Sequence, residues 1–474
     1  MRSRLEKFGL IGLGLIAGVL ASLQLTAIAD KDSPEPLPIE ELRAFSEVFG
    51  RIKSDYVEPV SDKKLITGAI NGMLIGLDPH SAYLDAEAFK ELQDGTHGEF
   101  GGLGIEVGME DGLVKVISPI EDTPAYVAGI QSGDLIVKLD DMLVKGLSLN
   151  DAVKRMRGTP GSKIVLTIIR KDAPKALIFT LERAIIKVKS VKFKMLESGY
   201  GYVRITQFQE RTGENLASGL SKLYEEGQGT LKGLVLDLRN NPGGLLNSAV
   251  AVSAAFLPKD ALVVYTEGRT ASAKMRLTTL PENYAHSGLA DYLRDLPASI
   301  KDLPIVLLVN GGSASASEIV AGALQDHKRA VIMGTQTFGK GSVQTILPLG
   351  SNTAIKLTTS RYFTPSGRSI QATGIIPDII IEDPATAEQD RAFHMREADL
   401  ERHLSNGRKS DDKASDSKEK EKAKPADTSK PEENDAPKPK FTEFGSPDDY
   451  QLKQAINLLK GMNILNGAKD SKKP

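Results

Sequence analysis

From residue 199 to about residue 385 the chain alternates apolar runs of strand length with helical spacings, and this limits what it can fold into more than any other feature. Tyr200 to Phe208, Gly233 to Leu238, Leu303 to Val309 and Ala330 to Met333 read as strands. Glu214 to Tyr224, the stretch that follows Asn240-Asn241-Pro242-Gly243-Gly244 to Phe256, and the stretch that follows a Gly/Ser loop to Gln325 read as helices. Each apolar face must be covered by a neighbouring layer, so this order predicts an α/β architecture. At ~100–200 residues per domain, a chain of 474 residues holds several domains.

The flanks differ from this core. Residues 1–29 read as an export signal: Arg2, Arg4 and Lys7 precede the uncharged stretch Phe8 to Leu25, and Ala27-Ile28-Ala29 is a small-x-small cleavage site. The alternative is an uncleaved inner-membrane anchor, since ~18 apolar residues just span a bilayer. Either reading places the body of the protein in the periplasm or cell envelope. Gly12-Leu13-Gly14 mimics a dinucleotide fingerprint, but no strand precedes it. Residues 38–95 hold two helical spacings, Ile39 to Tyr56 and Leu65 to Leu77, the second ended by Asp78-Pro79-His80-Ser81, and the start of the core. Residues 96–185 form a compact β-rich module. Residues 404–440 are Lys, Asp, Glu, Ser, Ala and Pro with almost no large apolar side chain, the composition of a disordered linker. Residues 441–474 regain helical spacing (Tyr450, Leu452, Ile456, Leu459), which predicts docking on the body or on another subunit.

Several chemistries are excluded. Sixty basic against 62 acidic residues leave no surplus for nucleic acid. Cysteine is absent, which removes thiol nucleophiles, disulfides and Cys-ligated metals, and the six His form no HExxH pair. No metal or cofactor is expected.

Chemistry concentrates in three loops. In Asn310-Gly311-Gly312-Ser313-Ala314-Ser315-Ala316-Ser317-Glu318 an apolar strand leads in and an apolar helix leads out. A hydroxyl at such a turn meets the free N–H groups and positive potential of a helix N-terminus, the setting that a serine nucleophile and its oxyanion hole require. Ser315-x-x-Glu318 is equally a capping box with no catalytic role. Thr337-Phe338-Gly339-Lys340-Gly341 offers a base, provided that burial lowers the lysine from ~10.4 to near 7, at roughly 4 kcal/mol. Gln344, four residues on, is a neutral candidate to orient that amine. Gly334 to Lys340 also fits G-x-x-x-x-G-K, but Gly341 replaces the Mg²⁺-binding Ser/Thr and a strand follows where a helix is required, which excludes a phosphate loop. In Asp237 to Gly244, paired glycines let backbone N–H groups approach a ligand, and spacing alone does not separate a second oxyanion donor from a plain turn.

Together these stretches, with Asp78 to Ser81, Tyr83-Leu84, the Gly101 to Val107 loop, Pro365-Ser366-Gly367 and Gly374-Ile375-Ile376-Pro377-Asp378, resemble the carboxyl-terminal processing peptidases, or tail-specific proteases, of serine protease family S41. The resemblance covers about residues 39–385, in family order, and implies an α/β fold with a ClpP/crotonase-like protease core (186–385), an inserted PDZ domain (96–185) and N-terminal helices. It implies Ser315 as nucleophile, Lys340 as general base and Gln344 as its orienting partner, with oxyanion donors at Ala316 and at Gly243 or Gly244. Gly102, Leu103, Gly104 and Ile105 match the loop with which PDZ domains hold a peptide carboxylate. The expected function is an exported serine endopeptidase that recognises and cleaves the C-terminal tails of envelope proteins. The alternative is a non-catalytic PDZ adaptor on a protease-like fold. Homo-oligomerisation through the amphipathic ends and an accessory activator are further expectations.

Overall fold

The computed structural model describes residues 37–470 except 286–290, 383–395, 407–443 and positions 111, 121, 172, 174, 188, 198 and 351. The export signal (1–29) and most of the charged linker (404–440) therefore lie outside the described residues. No helix among those described is long and apolar enough to cross a membrane. The chain divides into two units, residues 1–70 and 71–474.

The first unit contains helix α1 (Ile39–Asp55) and most of α2 (Asp62–Ile75). Phe45, Val48, Phe49 and Ile52 of α1 face Leu65, Gly68 and Ala69 of α2 across an apolar groove of about 600 Å³. No residue of α1 is buried.

The second unit opens with β1 (Ala82–Leu84) and α3 (Ala86–His97), the latter capped by Asp85 and ended by left-handed Gly98. The β-rich module follows: β2 (Glu99–Gly102), β3 (Ile105–Glu110), β4 (Leu113–Pro119), α4 (Pro124–Val127), β5 (Leu135–Leu139), β6 (Met142–Leu143), α5 (Leu149–Met156), β7 (Lys163–Ile169), β8 (Leu177–Glu182) and β9 (Ala184–Lys187). Its main sheet runs β3-β4-β5-β7-β8, leaving one side of β3 at an edge. The alternating residues Ile164, Leu166 and Ile168 of β7 point into a core shared with Val114, Val116 and Ile136.

The remainder is built on a sheet ordered β10-β11-β12-β15-β16-β19: β10 (Val191–Glu197), β11 (Tyr200–Ile205), β12 (Gly233–Asp237), β15 (Ile305–Val309), β16 (Val331–Gly334) and β19 (Ile379–Ile380). All pairs except β10–β11 are parallel. Leu234, Leu236, Leu307 and Val309 point to one face, under α6 (Thr212–Glu226), α7 (Leu246–Ala254) and α8 (Ala316–Asp326). Val235, Val306 and Leu308 point to the other, where Leu452, Ala455 and Leu459 of the C-terminal helix α9 (Tyr450–Asp470) cover them. Coverage on both faces explains why β15 is apolar throughout and β12 is apolar up to Asp237, the buried carboxylate that ends it. A second sheet, β1-β18-β13-β14 with β17 on β18, flanks the site: β13 (Leu262–Gly268), β14 (Arg276–Thr278), β17 (Ser342–Leu349) and β18 (Thr353–Phe363). The strand expected over Tyr200 to Phe208 is shorter, because residues after Ile205 turn away to meet the glycine loop.

Candidate active site

Three loops leave the carboxyl ends of the adjacent parallel strands β12, β15 and β16, the crevice where ligands bind in open α/β sheets. They carry Gly243 and Gly244, Ser315, and Lys340 respectively.

Ser315 sits at φ +55°, a left-handed conformation that side-chain-bearing residues seldom adopt, directly before α8. The N–H of Ala316, at the head of that helix, meets no acceptor among the described residues. Gly243 and Gly244 have φ of +101° and +143°. A Cβ on Gly243 would lie 2.8 Å from the Ser315 Cβ, and one on Gly244 would lie 2.0 Å from the Phe208 carbonyl oxygen. The two glycines are not equivalent. The Gly243 N–H donates to Asn241 Oδ1 at 2.9 Å, whereas the Gly244 N–H meets no acceptor among the described residues. Asn241 also binds the serine loop, its carbonyl accepting from Ala314 N–H at 3.0 Å and from Ser317 Oγ at 2.8 Å.

Glu318 is fully buried and joins the serine and lysine loops. Its Oε2 accepts from Ser315 N–H (2.8 Å) and Lys340 N–H (2.9 Å), and its Oε1 from Gly339 N–H (2.7 Å) and Thr337 Oγ1 (2.5 Å). Burial pushes its carboxyl up to about 7, against the pull of these hydrogen bonds.

Burial also lowers the Lys340 ammonium below its ordinary range, and the Lys356 charge adds to that. Glu397, Glu318 and Asp78 act in the opposite direction. Lys340 Nζ makes no hydrogen bond or ion pair among the described residues, and none joins it to Ser315 Oγ. The Ser315 hydroxyl instead faces the buried Tyr362 phenol, which donates to the Lys340 carbonyl. Gln344 does not bond Lys340 in this arrangement: its amide donates to Ser342 Oγ at 3.0 Å and Thr358 Oγ1 at 3.3 Å. Thr358 in turn donates to Asp78 Oδ1 (3.1 Å), which ties the Asp78-Pro79-His80-Ser81 turn to the same strand. His80 Nε2 pairs with Glu397 Oε2 at 2.8 Å; Glu397 Oε1 accepts from Gln371 Nε2, and Gln371 Oε1 from Gly341 N–H.

Beside Ser315 lies a cavity of about 530 Å³ with Leu246, Met275, Leu277, Ile319 and Val343 in its wall. Ala316, Gly244 and the edge strand β17 border it. No group of three or more His, Asp or Glu among the described residues is placed to hold a metal ion.

In the β-rich module, residues 102–104 are buried. The Leu103 and Gly104 carbonyls accept from Ala125 and Ile120 N–H, while the N–H groups of Leu103 and Gly104 meet no acceptor among the described residues. Gly104 has φ +77°, and Ile105 opens the edge strand β3. A loop with free N–H groups beside an open strand edge suits an incoming peptide terminus.

Glu318, Tyr362, Glu397 and Gln371 were not picked out as site residues from the sequence. Only Glu318 carried a signal there, as the acidic member of the capping box.

Residues 199–381 match the family model of peptidase family S41, residues 101–181 that of the PDZ domain, and residues 17–88 that of the activating protease CtpB N-terminal domain. The carboxy-terminal-processing protease of Bartonella bacilliformis is 45% identical over 451 residues, covering 94% of this chain and 95% of that protein. The carboxy-terminal processing protease CtpB of Bacillus subtilis is 34% identical over 386 residues, 79% of this chain and 75% of the relative. Among solved structures, a photosystem II D1 C-terminal processing protease is 30% identical and covers 76% of this chain and 92% of its own, with a TM-score of 0.41.

Proposed function

The chain belongs to peptidase family S41 as a carboxy-terminal-processing serine protease with a PDZ domain, and from that premise we propose that it is an exported endopeptidase whose PDZ domain holds a substrate's C-terminus while a Ser315–Lys340 dyad cuts within the tail. The observation that carries this reading is the pair of N–H groups, on Ala316 and Gly244, that meet no acceptor among the described residues, beside a strained serine that heads α8.

Ser315 Oγ attacks the scissile carbonyl carbon, and neutral Lys340 takes its proton. The carbonyl oxygen becomes an oxyanion that accepts from Ala316 and Gly244 N–H. Collapse expels the amine, which takes the proton from Lys340, and leaves an acyl-enzyme. Lys340 then removes a proton from water as it attacks the ester, and returns it to Ser315 Oγ as the acyl C–O bond breaks and the new C-terminal carboxylic acid leaves. The lysine must be neutral at the start, and burial beside Lys356 favours that form. Forming the dyad requires the Ser315 hydroxyl to leave Tyr362 and meet Nζ. Gln344 Oε1, which takes no donor among the described residues, is the neutral acceptor assigned to the amine in that state. The edge of β17 receives the extended substrate, and the apolar cavity takes an aliphatic side chain next to the cut.

The test is covalent labelling with a fluorophosphonate, together with cleavage of peptides that end in a free carboxylate. Labelling at Ser315 and its loss in Ser315→Ala are expected, as is loss of cleavage in Lys340→Ala with folding retained. Peptide binding without labelling or cleavage would instead mark a non-catalytic adaptor. Envelope proteins that accumulate when Ser315→Ala replaces the wild type identify the substrates. The exposed apolar α1 groove is assigned to self-association, which solution mass with and without residues 39–77 measures. An accessory activator is read from added protein that raises cleavage.

A further inference from the structure

The outer face of the catalytic sheet is closed by residues that lie beyond the S41 match, and they reach the glycine loop through one arginine. Arg239 is fully buried two positions before Asn241. Its guanidinium donates to Asp237 through Nε (3.0 Å) and Nη2 (2.6 Å), to Asp449 through Nη1 (3.0 Å) and Nη2 (2.6 Å), and to Gln451 Oε1 at 2.9 Å. The Phe444 ring covers the guanidinium at 4.1 Å. Asp449 and Gln451 lie more than 200 residues away in sequence, at the start of the C-terminal helix.

We propose that Asp449, acting through Arg239, is a positioning residue for the loop that carries the Gly244 N–H, so that the C-terminal segment completes the catalytic centre. The inference rests on the protease reading above and extends it to a residue outside the family match. The chain reverses at Asn240, which has φ +55°, immediately after Arg239. Asn240 is held to Asn310, and Asn241 then places Gly243 and the serine loop. The side of the loop facing Ser315 is therefore set by asparagines, while its origin is set by the Arg239 anchor. Asp237 alone does not hold that anchor, because it also accepts from Tyr202 and Arg204. Two carboxylates balance two guanidiniums there. Removing the charge of Asp449 leaves a buried cation short of its counter-charge and free to pull residue 239 toward solvent.

The test uses the full chain. Asp449→Asn is expected to slow fluorophosphonate labelling of Ser315 by about ten-fold or more and to lower kcat in proportion, with peptide KM held within about two-fold. Hydrogen exchange over residues 238–244 should quicken. Leu459→Ala loosens the same helix away from Arg239 and should lower the melting temperature while labelling stays at the wild-type rate. Wild-type labelling in Asp449→Asn overturns the proposal, as does a loss in both variants that tracks their melting temperatures. If Asp449→Asn does not fold, Gln451→Met is read by the same criteria. A wild-type chain that does not label at Ser315 overturns the hydrolase reading itself, and this inference with it.

Discussion

Replacing Glu318 by glutamine keeps the side chain's shape and removes part of its accepting capacity. The carboxylate accepts from Ser315, Lys340 and Gly339 N–H and from Thr337 Oγ1. A glutamine that keeps its oxygen on Gly339 and Thr337 turns its NH2 toward the other two N–H groups. Each buried donor left without an acceptor costs about 1–3 kcal/mol, about 2–6 kcal/mol for the pair. The pH dependence separates this cost from a second term. Burial raises Glu318 from 4.5 to about 7. A carboxyl raised by folding contributes its stability below the unfolded value of 4.5 and loses it as the pH climbs to about 7, a change of about 3 kcal/mol. Glutamine does not titrate. The stability deficit of Glu318→Gln relative to wild type should therefore shrink by about 3 kcal/mol from about pH 4 to about pH 8. Burial pushes Asp326, Glu397 and Asp449 up while their hydrogen-bond and cationic partners hold them below the ordinary range; they titrate in both proteins and cancel in the difference. Urea unfolding across that pH range measures the deficit, and cleavage of a tail peptide measures alignment. Activity should fall on the order of 10²-fold at every pH, since the Ser315 and Lys340 backbones lose their common acceptor. A deficit flat in pH refutes the buried-carboxylate argument, and wild-type activity refutes the alignment argument.

Lys356→Met removes a positive charge that, after burial, lowers Lys340, while Glu397, Glu318 and Asp78 remain. The acidic limb of the kcat/KM profile should move to higher pH, and a profile that does not move excludes Lys356 from tuning the base. Gly104→Ala places a Cβ 2.2 Å from Thr123 at φ +77°. Strain of about 1–2 kcal/mol and a blocked loop should abolish anisotropy-measured binding of a C-terminal peptide while short peptides are still cut; undiminished binding refutes the carboxylate-loop assignment.

The parts of this protein legible in the sequence are those that local pattern encodes. β15 is apolar at every position and β12 up to Asp237 because both faces are covered, and the Gly/Ser and glycine-pair loops come after them. The capping box that Ser315 and Glu318 spell in the sequence is present, but the carboxylate's other donors lie 19 to 22 residues further along the chain. Gln344 shows a related limit. Four residues separate it from Lys340, but the stretch between them enters a strand with a register shift at Val343/Gln344. A shift of this kind changes which neighbours a side chain meets, and the amide falls among Ser342 and Thr358. The reach from Asp449 to Arg239 has no local signature at all. Helical spacing around Leu452 and Leu459 revealed a face that needed covering, while its partner is fixed only once β11, β12 and β15 are assembled. The Ser315 and Lys340 loops are thus joined not through those two side chains, which share no hydrogen bond among the described residues, but through Glu318 between them. Glu318 and Asp449 can each be replaced without altering Ser315 or Lys340, and so the geometry of the proposed dyad can be tested apart from its chemistry.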